Sequence, residues 1–444
     1  MKKRILSMVL CLCMSAALVS GCSKNGETQK DSAGETTEKT AAVKEKNNVL
    51  KWAVWDNETT PYYKALKEAF EKEHEGVTVE IVDFSSNDYI TVLATELSGS
   101  GSDFDVVSIK EIPQYATLVS KGVIVPLDSY IEKEGIDLTA YNGITDQMTI
   151  DDTLYQMPFR SDFWVIYYNK DIFDRAGVAY PTNDMTWDQY ADLARKVTDT
   201  SFDNRVYGSH FHTWKGAVAL PAQLDGVHSI LDGNYDFFKP YYERVQALED
   251  EGVCQDYLSL NTEGLHYSAA FSNGNVAMMN MGSWFVGNII SSLNSGDYDK
   301  EACGNWGIVK YPHEEGVAPG TSSSTVTGIS ITNVADDADL AWEFVNFVSG
   351  DQGAQVLAET GNFAAKFTDS AKETILSMDG FPQDDASKEA LNVEQLYLEV
   401  PYGKNIAEIN NILNTYHKDI MTRDLTIDEG IAKMNEEVQK LMQN

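Results

Sequence analysis

Residues 49–82, VLKWAVWDNETTPYYKALKEAFEKEHEGVTVEIV, decide the fold class of this chain. The two ends of the stretch, 49–55 and 77–82, are short apolar runs rich in valine, isoleucine and tryptophan, which is typical of buried strands. Between them, apolar residues recur at helical spacing, Pro61 stands where a first helical turn tolerates proline, and Gly76 follows the last turn. The stretch therefore predicts a strand, a helix and a second strand.

The same alternation continues along the chain. Residues 88–98 carry a second helical stripe, and FDVVSI at 104–109 predicts a third strand. Alternating strands and helices are typical of an α/β protein with a parallel sheet that helices cover on both faces. Further on, the spacing predicts a helix over 338–348, where Asp339 is placed as its cap, and a C-terminal helix from Thr426.

The composition fits a large globular body. The chain has 444 residues, of which 43% are hydrophobic, so it can bury a sizeable core and predicts two or three domains. Its 68 acidic and 34 basic residues give a net charge of -34 at pH 7. A surface this negative repels phosphate backbones and anionic lipid headgroups. The sequence therefore excludes general disorder and a nucleic-acid-binding role.

The N-terminus, MKKRILSMVLCLCMSAALVSGC, predicts export from the cytoplasm. Its basic start precedes an apolar run, 5–19, that falls short of the roughly 20 residues needed to cross a bilayer. Ser20 and Gly21 before Cys22 resemble a bacterial lipobox, whose cysteine is diacylated and becomes the mature N-terminus; an ordinary signal peptide is the alternative. The residues that follow, up to Asn48, lack aromatic side chains and cannot bury enough surface to fold. The expected segments are a lipoprotein signal peptide over 1–21 and, over 22–48, the lipidated cysteine with a flexible tether.

Motifs for catalysis or cofactor binding are absent from the sequence. It has no P-loop, dinucleotide glycine fingerprint, HExxH, GxSxG or CxxC pair, and none of its carboxylates is singled out as a general acid. His210 and His212 would share one face of a strand and could begin a zinc site, but satisfied histidines are the favoured interpretation. Cys254 and Cys303 could form one disulfide, although two unpaired thiols are favoured. We expect no enzymatic activity, no cofactor and no metal.

Tryptophans stand beside polar residues at the ends of predicted strands. Asn57 lies two positions after Trp55, Asp162 two positions before Trp164, and Trp284 follows a Gly-Ser pair. In open parallel sheets, ligands bind beyond the carboxyl ends of strands. An indole face can stack on a sugar ring while carboxylates and amides bind the hydroxyl groups. Core packing is the favoured interpretation of each tryptophan alone, but the recurrence of the pattern favours a site for a neutral polyol.

The longest patterned segment, 154–197, reads LYQMPFRSDFWVIYYNKDIFDRAGVAYPTNDMTWDQYADLARKV. It resembles the family 1 extracellular solute-binding proteins, the sugar-capturing lipoproteins of ABC importers, which are related to maltose-binding protein. Further matches are GVIVPLDSYI at 122–131, FSNGNVAMMNMGSW at 271–284, and TGISITNVADDADLAWEFVNFVSGDQGAQ at 327–355. Together with the final helix, they span nearly the whole body in the order that this family shows.

The resemblance implies an α/β fold of two lobes, joined by hinge strands, with a ligand cleft between them. The chain is expected to cross between the lobes near Phe159, Pro312 and Lys366. Closure of the hinge over a sugar, an oligosaccharide in our interpretation, would create the surface that the ABC permease transmembrane subunits recognise. The protein would act as a monomer, anchored by lipid at the extracellular face of the cytoplasmic membrane. The expected lobes are 49–159 plus 312–366 for the N-terminal one, and 160–311 plus 367–444 for the C-terminal one.

The same resemblance implies which residues contact the carbohydrate ligand. Trp284, which matches the tryptophan after the Ala-Met strand, is the strongest of these assignments. Segment 367–400 shows little of the family pattern, so contacts there are unassigned. The expected ligand-binding residues are Trp55, Asn57, Lys110, Glu111, Asp162, Trp164, Trp284, Ser324, Tyr402 and Asn405.

Three other functions compete with sugar capture. The same scaffold could bind another solute, such as a polyamine, which would need acidic groups in the cleft. A secreted glycoside-acting enzyme would release products from glycans, whereas a binding protein returns them intact. A surface adhesin or sensor subunit would act without transport.

Overall fold

The strand-helix-strand unit that opens the body forms as the sequence predicts. Strand β1 (Val49–Trp55) pairs in parallel with β2 (Thr78–Phe84), and helix α1 (Pro61–Glu73) connects them. Pro61 occupies the first turn of α1, and Leu66 and Phe70 are fully buried against the sheet. Local sequence therefore suffices to specify this unit.

The computed structural model describes residues 48–85, 88–99, 101–201, 203 and 205–443. The expected signal peptide, Cys22 and the tether up to residue 47 lie outside the described residues. Every helix in the described part of the chain is too short or too polar to cross a bilayer.

A sheet in the order β2-β1-β3-β7-β4-β5 forms the centre of the fold, with β6 also paired to β4 and β8 to β7. Strands β1, β2 and β3 run parallel, as do β7 and β8, whereas β7 is antiparallel to β3 and β4, and β4 is antiparallel to β5 and β6. The expected wholly parallel sheet is therefore wrong beyond β3, because burial patterns reveal a buried strand but not its direction. The remaining strands are β3 (Val106–Ile109), β4 (Met157–Asn169), β5 (Met278–Gly282), β6 (Trp306–Lys310), β7 (Thr321–Ile331) and β8 (Gln395–Leu398).

Helices pack on both sides of this sheet. The α-helices described after α1 are α2 (Tyr89–Ser98), α3 (Ile112–Ser120), α4 (Asp128–Glu134), α5 (Ile144–Met148), α6 (Lys170–Ala176), α7 (Trp187–Val197), α8 (Lys215–Val218), α9 (Lys239–Asp250), α10 (Tyr257–Glu263), α11 (Tyr267–Ser272), α12 (Trp284–Ser295), α13 (Lys300–Cys303), α14 (Ala338–Ser349), α15 (Asp351–Glu359), α16 (Asp369–Leu376), α17 (Asp385–Glu389), α18 (Ile406–Met421) and α19 (Ile427–Met442). Short 3₁₀ helices lie at Asn57–Thr59, Leu138–Tyr141, Leu220–Gln223 and Asp236–Phe238.

Two helix starts test the capping predictions. Thr426 caps α19 and forms a reciprocal capping box with Glu429, which confirms a helix that starts there. Helix α14 forms as expected, but its cap is Asp337, whose carboxylate accepts a hydrogen bond from the Leu340 N–H at 3.1 Å. The assignment of Asp339 as the cap is wrong, because that residue already lies within the first turn.

Strand β4 separates two hydrophobic cores. Its residues alternate between them: Phe163, Val165 and Tyr167 belong to the first core, and Trp164, Ile166 and Tyr168 to the second. This alternation follows from the two-residue period of a strand that is buried on both faces. The first core also holds β1, β3, α14 and α15, and the second holds α7, α9, α18 and α19. The architecture is the two-lobe α/β fold that was expected, and the residue boundaries of the lobes stay a prediction.

Both cysteines of the body are unpaired. Cys254 and Cys303 are buried free thiols, which agrees with the interpretation that the sequence favoured.

Candidate ligand-binding site

A cavity of about 550 Å³ opens between the two cores. The first core supplies Ile112 at the start of α3, and Val326 and Leu398 from β7 and β8. The second core supplies Leu220 and Tyr257, and polar residues of α18 complete that wall. A ligand in this cavity would contact both halves of the body.

Three of the expected ligand-binding residues line this cavity. Lys110 and Glu111 lie in the turn between β3 and α3, and Ser324 lies on β7. The Lys110 N–H donates to the Gln114 side-chain oxygen at 2.8 Å, which holds this turn against the first turn of α3. The Ser324 hydroxyl is 2.8 Å from the Ser161 hydroxyl on β4.

Two more of the expected residues lie directly behind the cavity wall. The Lys110 ammonium sits 5.7 Å from the ring centroid of Trp55, so Trp55 supports a residue of the wall. Trp164 is fully buried and donates its indole N–H to the Glu399 carboxylate, which lines the cavity.

Asn57 and Asp162 lie outside the cavity lining and bond to residues elsewhere in the protein. The Asn57 N–H donates to the Asp83 carboxylate at 3.0 Å, and its buried side-chain oxygen has no hydrogen-bond partner in the described residues. Asp162 is buried, accepts a hydrogen bond from the Ser283 hydroxyl at 3.0 Å and pairs with Arg160 at 3.3 Å. Burial raises the pKa of Asp162, and Arg160 opposes that effect.

The remaining three expected residues also lie outside the cavity lining. Trp284 begins α12, with its ring centroid 5.8 Å from that of Trp164 and 6.2 Å from that of Trp214. The Tyr402 N–H donates to the Gln147 carbonyl, and Asn405 adopts a left-handed conformation before α18.

The second wall is built on the segment Thr213-Trp214-Lys215, which enters α8. Trp214 lines the cavity and keeps 41% of its surface exposed. Behind it, the imidazole of His417 on α18 lies 3.2 Å from the Thr213 carbonyl and 3.1 Å from the Tyr242 hydroxyl. Burial lowers the pKa of His417 to about 3, so the ring is neutral. It therefore donates from Nε2 to the Thr213 carbonyl, which fixes the segment to α18, and at Nδ1 it accepts a hydrogen bond from the Tyr242 hydroxyl.

Two buried charged groups line the same cavity. The Lys215 ammonium donates to the Asn410 side-chain oxygen at 2.7 Å, and burial lowers its pKa to about 8. Burial raises the pKa of Glu399 to about 7. A Cβ atom at Gly216 would lie 2.8 Å from Glu399 Oε2 and 3.2 Å from the Trp164 ring, so this position accepts only glycine without a shift of its neighbours. The backbone thus approaches the carboxylate closely.

The fold and its cavity agree with the comparison against known protein families. The model of the family described as "Bacterial extracellular solute-binding protein" matches residues 55–355, about two thirds of the chain. This chain belongs to that family. The expectation drawn from the sequence pattern is confirmed.

Solved structures and curated relatives of this solute-binding protein fit the same assignment. A sugar transporter from Rhizobium etli, solved in an open conformation, is 44% identical, with 88% of this chain and 99% of that chain covered and a TM-score of 0.82. The galactooligosaccharide-binding protein of Bacillus subtilis is 25% identical over 372 residues, which are 81% of this chain and 79% of that protein. An ABC substrate-binding protein from Listeria monocytogenes, solved with cycloalternan, is 24% identical, covers 89% and 99% of the two chains, and has a TM-score of 0.70; it shows a shared fold.

Sequence reasoning missed part of the cavity of this solute-binding protein. Trp214 follows the same rule as the other tryptophans, an aromatic residue beside polar ones, so the sequence offered a signal for it. Glu399 lies in the segment without family pattern, and Lys215 and Asn410 are 195 residues apart, so no local signal existed for them.

His210 and His212 lie near the cavity but outside its lining. Their ring centroids are 5.8 Å apart, and burial lowers their pKa values to about 3 and about 4. One nitrogen of each ring, Nε2 of His210 and Nδ1 of His212, is buried without a hydrogen-bond partner in the described residues, and the interpretation of both as satisfied histidines stays a prediction. Among those residues, no group of three or more histidine, cysteine or acidic side chains is placed to hold a metal ion.

Proposed function

We propose that this solute-binding protein captures a sugar, an oligosaccharide in our interpretation, and delivers it to the transmembrane subunits of an ABC importer. The observation that carries the proposal is the cavity between the two cores, where the exposed face of Trp214 stands beside Lys215, Glu399 and Asn410. An indole ring stacks on the C–H face of a sugar, while carboxylate, ammonium and amide groups bind its hydroxyls. The names of the relatives from Rhizobium etli and Bacillus subtilis support the same ligand class.

The charges that line the cavity argue against a polyamine. Three lysines, Lys110, Lys215 and Lys418, face two glutamates, Glu111 and Glu399, among the described lining residues. A polycationic solute would need an excess of carboxylates in this place.

The function that we propose needs binding, closure and release, and no covalent step. Trp55, Asn57, Asp162, Trp164, Trp284, Tyr402 and Asn405 are proposed to act through closure or through the wall residues that they support. Lys110, Glu111 and Ser324 are proposed to contact the ligand directly.

We further propose that the mature protein is a monomer, anchored through a diacylated Cys22 at the extracellular face of the cytoplasmic membrane. The lipobox-like residues before Cys22 and the composition of the tether support the anchor. Replacement Cys22→Ser should release the protein from the membrane fraction, whereas Cys13→Ser, within the signal peptide, should leave it attached. Equal membrane attachment of both variants would contradict the anchor.

The ligand class is tested on the soluble body that starts after Cys22. Thermal unfolding is recorded with mono- and oligosaccharides, polyols, polyamines and amino acids. A ligand at a hundredfold excess over its dissociation constant adds about 2.7 kcal/mol to the free energy of unfolding and raises the melting temperature. A shift confined to sugars supports the proposal. Shifts with polyamines or amino acids alone, or release of products from a glycan, would contradict it.

A further inference from the structure

Lys215 differs in its partner from Lys310, which is also buried, and from Lys170, which is half-buried. Lys215 is only 5% exposed, lines the cavity, and its ammonium donates to the neutral side chain of Asn410 at 2.7 Å. Within the described residues, no carboxylate oxygen lies within 4.0 Å of it. By contrast, the ammonium of Lys310 lies 3.0 Å from the Glu389 carboxylate, and that of Lys170 lies 2.6 Å from Asp384.

The nearest opposite charge does not form a contact pair with Lys215. Glu399 acts on Lys215 only through a longer-range charge interaction. One oxygen of the Glu399 carboxylate already accepts a hydrogen bond from the indole N–H of Trp164. His417, on the neighbouring α18, is neutral and adds no charge. The ammonium therefore lacks the close anion that a buried cation needs.

The charge balance of the cavity points the same way. The described lining residues carry one more lysine than glutamate, in a protein whose net charge is -34. Lys110 lies just before α3 on one wall of the cavity, and Lys418 lies on α18 in the other wall. The excess of positive charge is therefore spread over both walls. A local excess of positive charge in a strongly acidic protein attracts an anion to this place and repels cations.

We propose that the sugar captured in this cavity carries an anionic group, a carboxylate or a phosphate, that pairs with Lys215. The inference rests on the proposed sugar-binding function and names its substrate class. The neutral polyol favoured by the tryptophan pattern fits Trp214 and Glu399 but leaves the charge of Lys215 without a contact partner. An acidic sugar satisfies both parts of the site, because its ring stacks on Trp214 while its anion contacts the ammonium.

Isothermal titration with matched sugars tests this inference. The probes are glucose, glucuronate and glucose 6-phosphate, galactose, galacturonate and galactose 6-phosphate, and the disaccharides cellobiose and cellobiouronate. We expect an acidic probe to bind at least about tenfold more tightly than its neutral counterpart. Preference for the uronates identifies a carboxylate ligand, and preference for the phosphates identifies a phosphorylated sugar.

Variants of Lys215 separate a ligand contact from a structural role. Lys215→Met should weaken binding of the acidic probe by at least about 30-fold and that of the neutral counterpart by only about threefold, because a neutral hydroxyl loses one hydrogen bond whereas the anion also loses its charge partner. Lys215→Arg, which keeps the charge, should retain most of the preference. Because Lys215→Met removes a buried charge without a close counterion, the ligand-free variant should melt no lower than the wild type. Lys64→Met, which removes one exposed lysine paired with Glu68, is the matched control and should bind all probes normally.

Three results would overturn the inference. They are tighter binding of the neutral member of a pair, equal losses for both members in Lys215→Met, and binding of none of the acidic probes. The first two leave the proposed sugar-binding function standing. If only non-sugar solutes bind in the wider panel, the proposed function itself fails.

Discussion

At the scale of single residues, Trp214 is the most exposed aromatic side chain among the described residues that line the cavity. It lines the cavity with 41% of its surface exposed, whereas Trp164 is fully buried and Trp284 packs against both rings. Trp284 thus supports the exposed indole, and Trp164 supports Trp284. The three rings would divide their roles between contact and support.

We expect Trp214→Ala to weaken sugar binding by about 1 kcal/mol, roughly fivefold in Kd, because the ligand loses one stacked aromatic face. The free energy of unfolding should fall by less than for a fully buried tryptophan, since 41% of the side chain is already exposed and the rest packs on neighbouring rings. Titration calorimetry and urea unfolding measure the two effects. Tyr180→Ala, at a side chain with 39% exposure outside the cavity lining, is the matched control. Unchanged affinity in Trp214→Ala would show that this ring does not stack on the ligand.

At the scale of elements, α18 connects the ligand wall to the second core. His417 bonds the Thr213 carbonyl and the Tyr242 hydroxyl, and Ile409, Leu413 and Ile420 of the same helix are fully buried. The helix also packs on α3, which begins the opposite wall. Any loss of the His417 bonds would therefore loosen the segment that presents Trp214.

This arrangement predicts sensitivity to acid. The pKa of His417 lies at an ordinary value of 6.5 in the unfolded chain and at about 3 in the folded one. Between these values the unfolded state binds one more proton, so the contribution of His417 to the free energy of unfolding decreases as pH falls below 6.5, by up to about 1.4 kcal/mol per pH unit. His210 and His212 act in the same direction. Glu249 and Glu399, whose pKa values are raised to about 7, act in the opposite direction. Urea unfolding at pH 7, 6 and 5 measures how the free energy of unfolding depends on pH. In His417→Gln, that pH dependence should lack the contribution of one titrating proton.

A second hydrogen bond to α18, made by a side chain that does not titrate, serves as the control for the loss of packing. The Gln246 side chain donates to the Ile420 carbonyl at 3.0 Å and has no titrating group. Gln246→Ala should therefore lower the free energy of unfolding by about 1 kcal/mol equally at each pH. If His417→Gln shows the wild-type pH slope, His417 is not the group that titrates.

At the scale of the whole molecule, the cavity walls come from two different cores. Strand β4 belongs to both cores, and a ligand held between Lys110 and Trp214 would contact both halves. Each contact across the cavity is strengthened when the walls approach and expel water. Ligand binding should therefore favour a more closed arrangement.

We expect a saturating sugar to reduce the radius of gyration measured by small-angle X-ray scattering, and a sugar that does not bind to leave it unchanged. Trp214→Ala should need more ligand but reach the same final value, because its walls are otherwise intact. An unchanged radius at saturation would contradict closure and would indicate a preformed site.

The sequence by itself determined the local elements and the family. The unit from β1 to β2 and the helix that starts at Thr426 both follow from neighbours within a few positions. Such patterns act through local sterics and hydrogen bonds, and can therefore be recognised in the sequence without knowledge of the tertiary structure. The same locality explains the error at Asp339, since two acidic residues two positions apart both satisfy the capping pattern and only the backbone angles select Asp337.

Only the tertiary structure decided the direction of β7 and the composition of the cavity. Strand β7 lies between β3 and β4 and runs antiparallel to both, and its sequence, TSSSTVTGISI, carries no local signal for that direction. Lys215 meets Asn410, and Trp164 meets Glu399, across about 200 residues of chain. Burial sets the pKa values of Lys215 and Glu399, and burial is a property of the packed lobes. The charge that we propose for the ligand could therefore be inferred only from the tertiary structure, which buries Lys215 in the cavity wall beside Asn410.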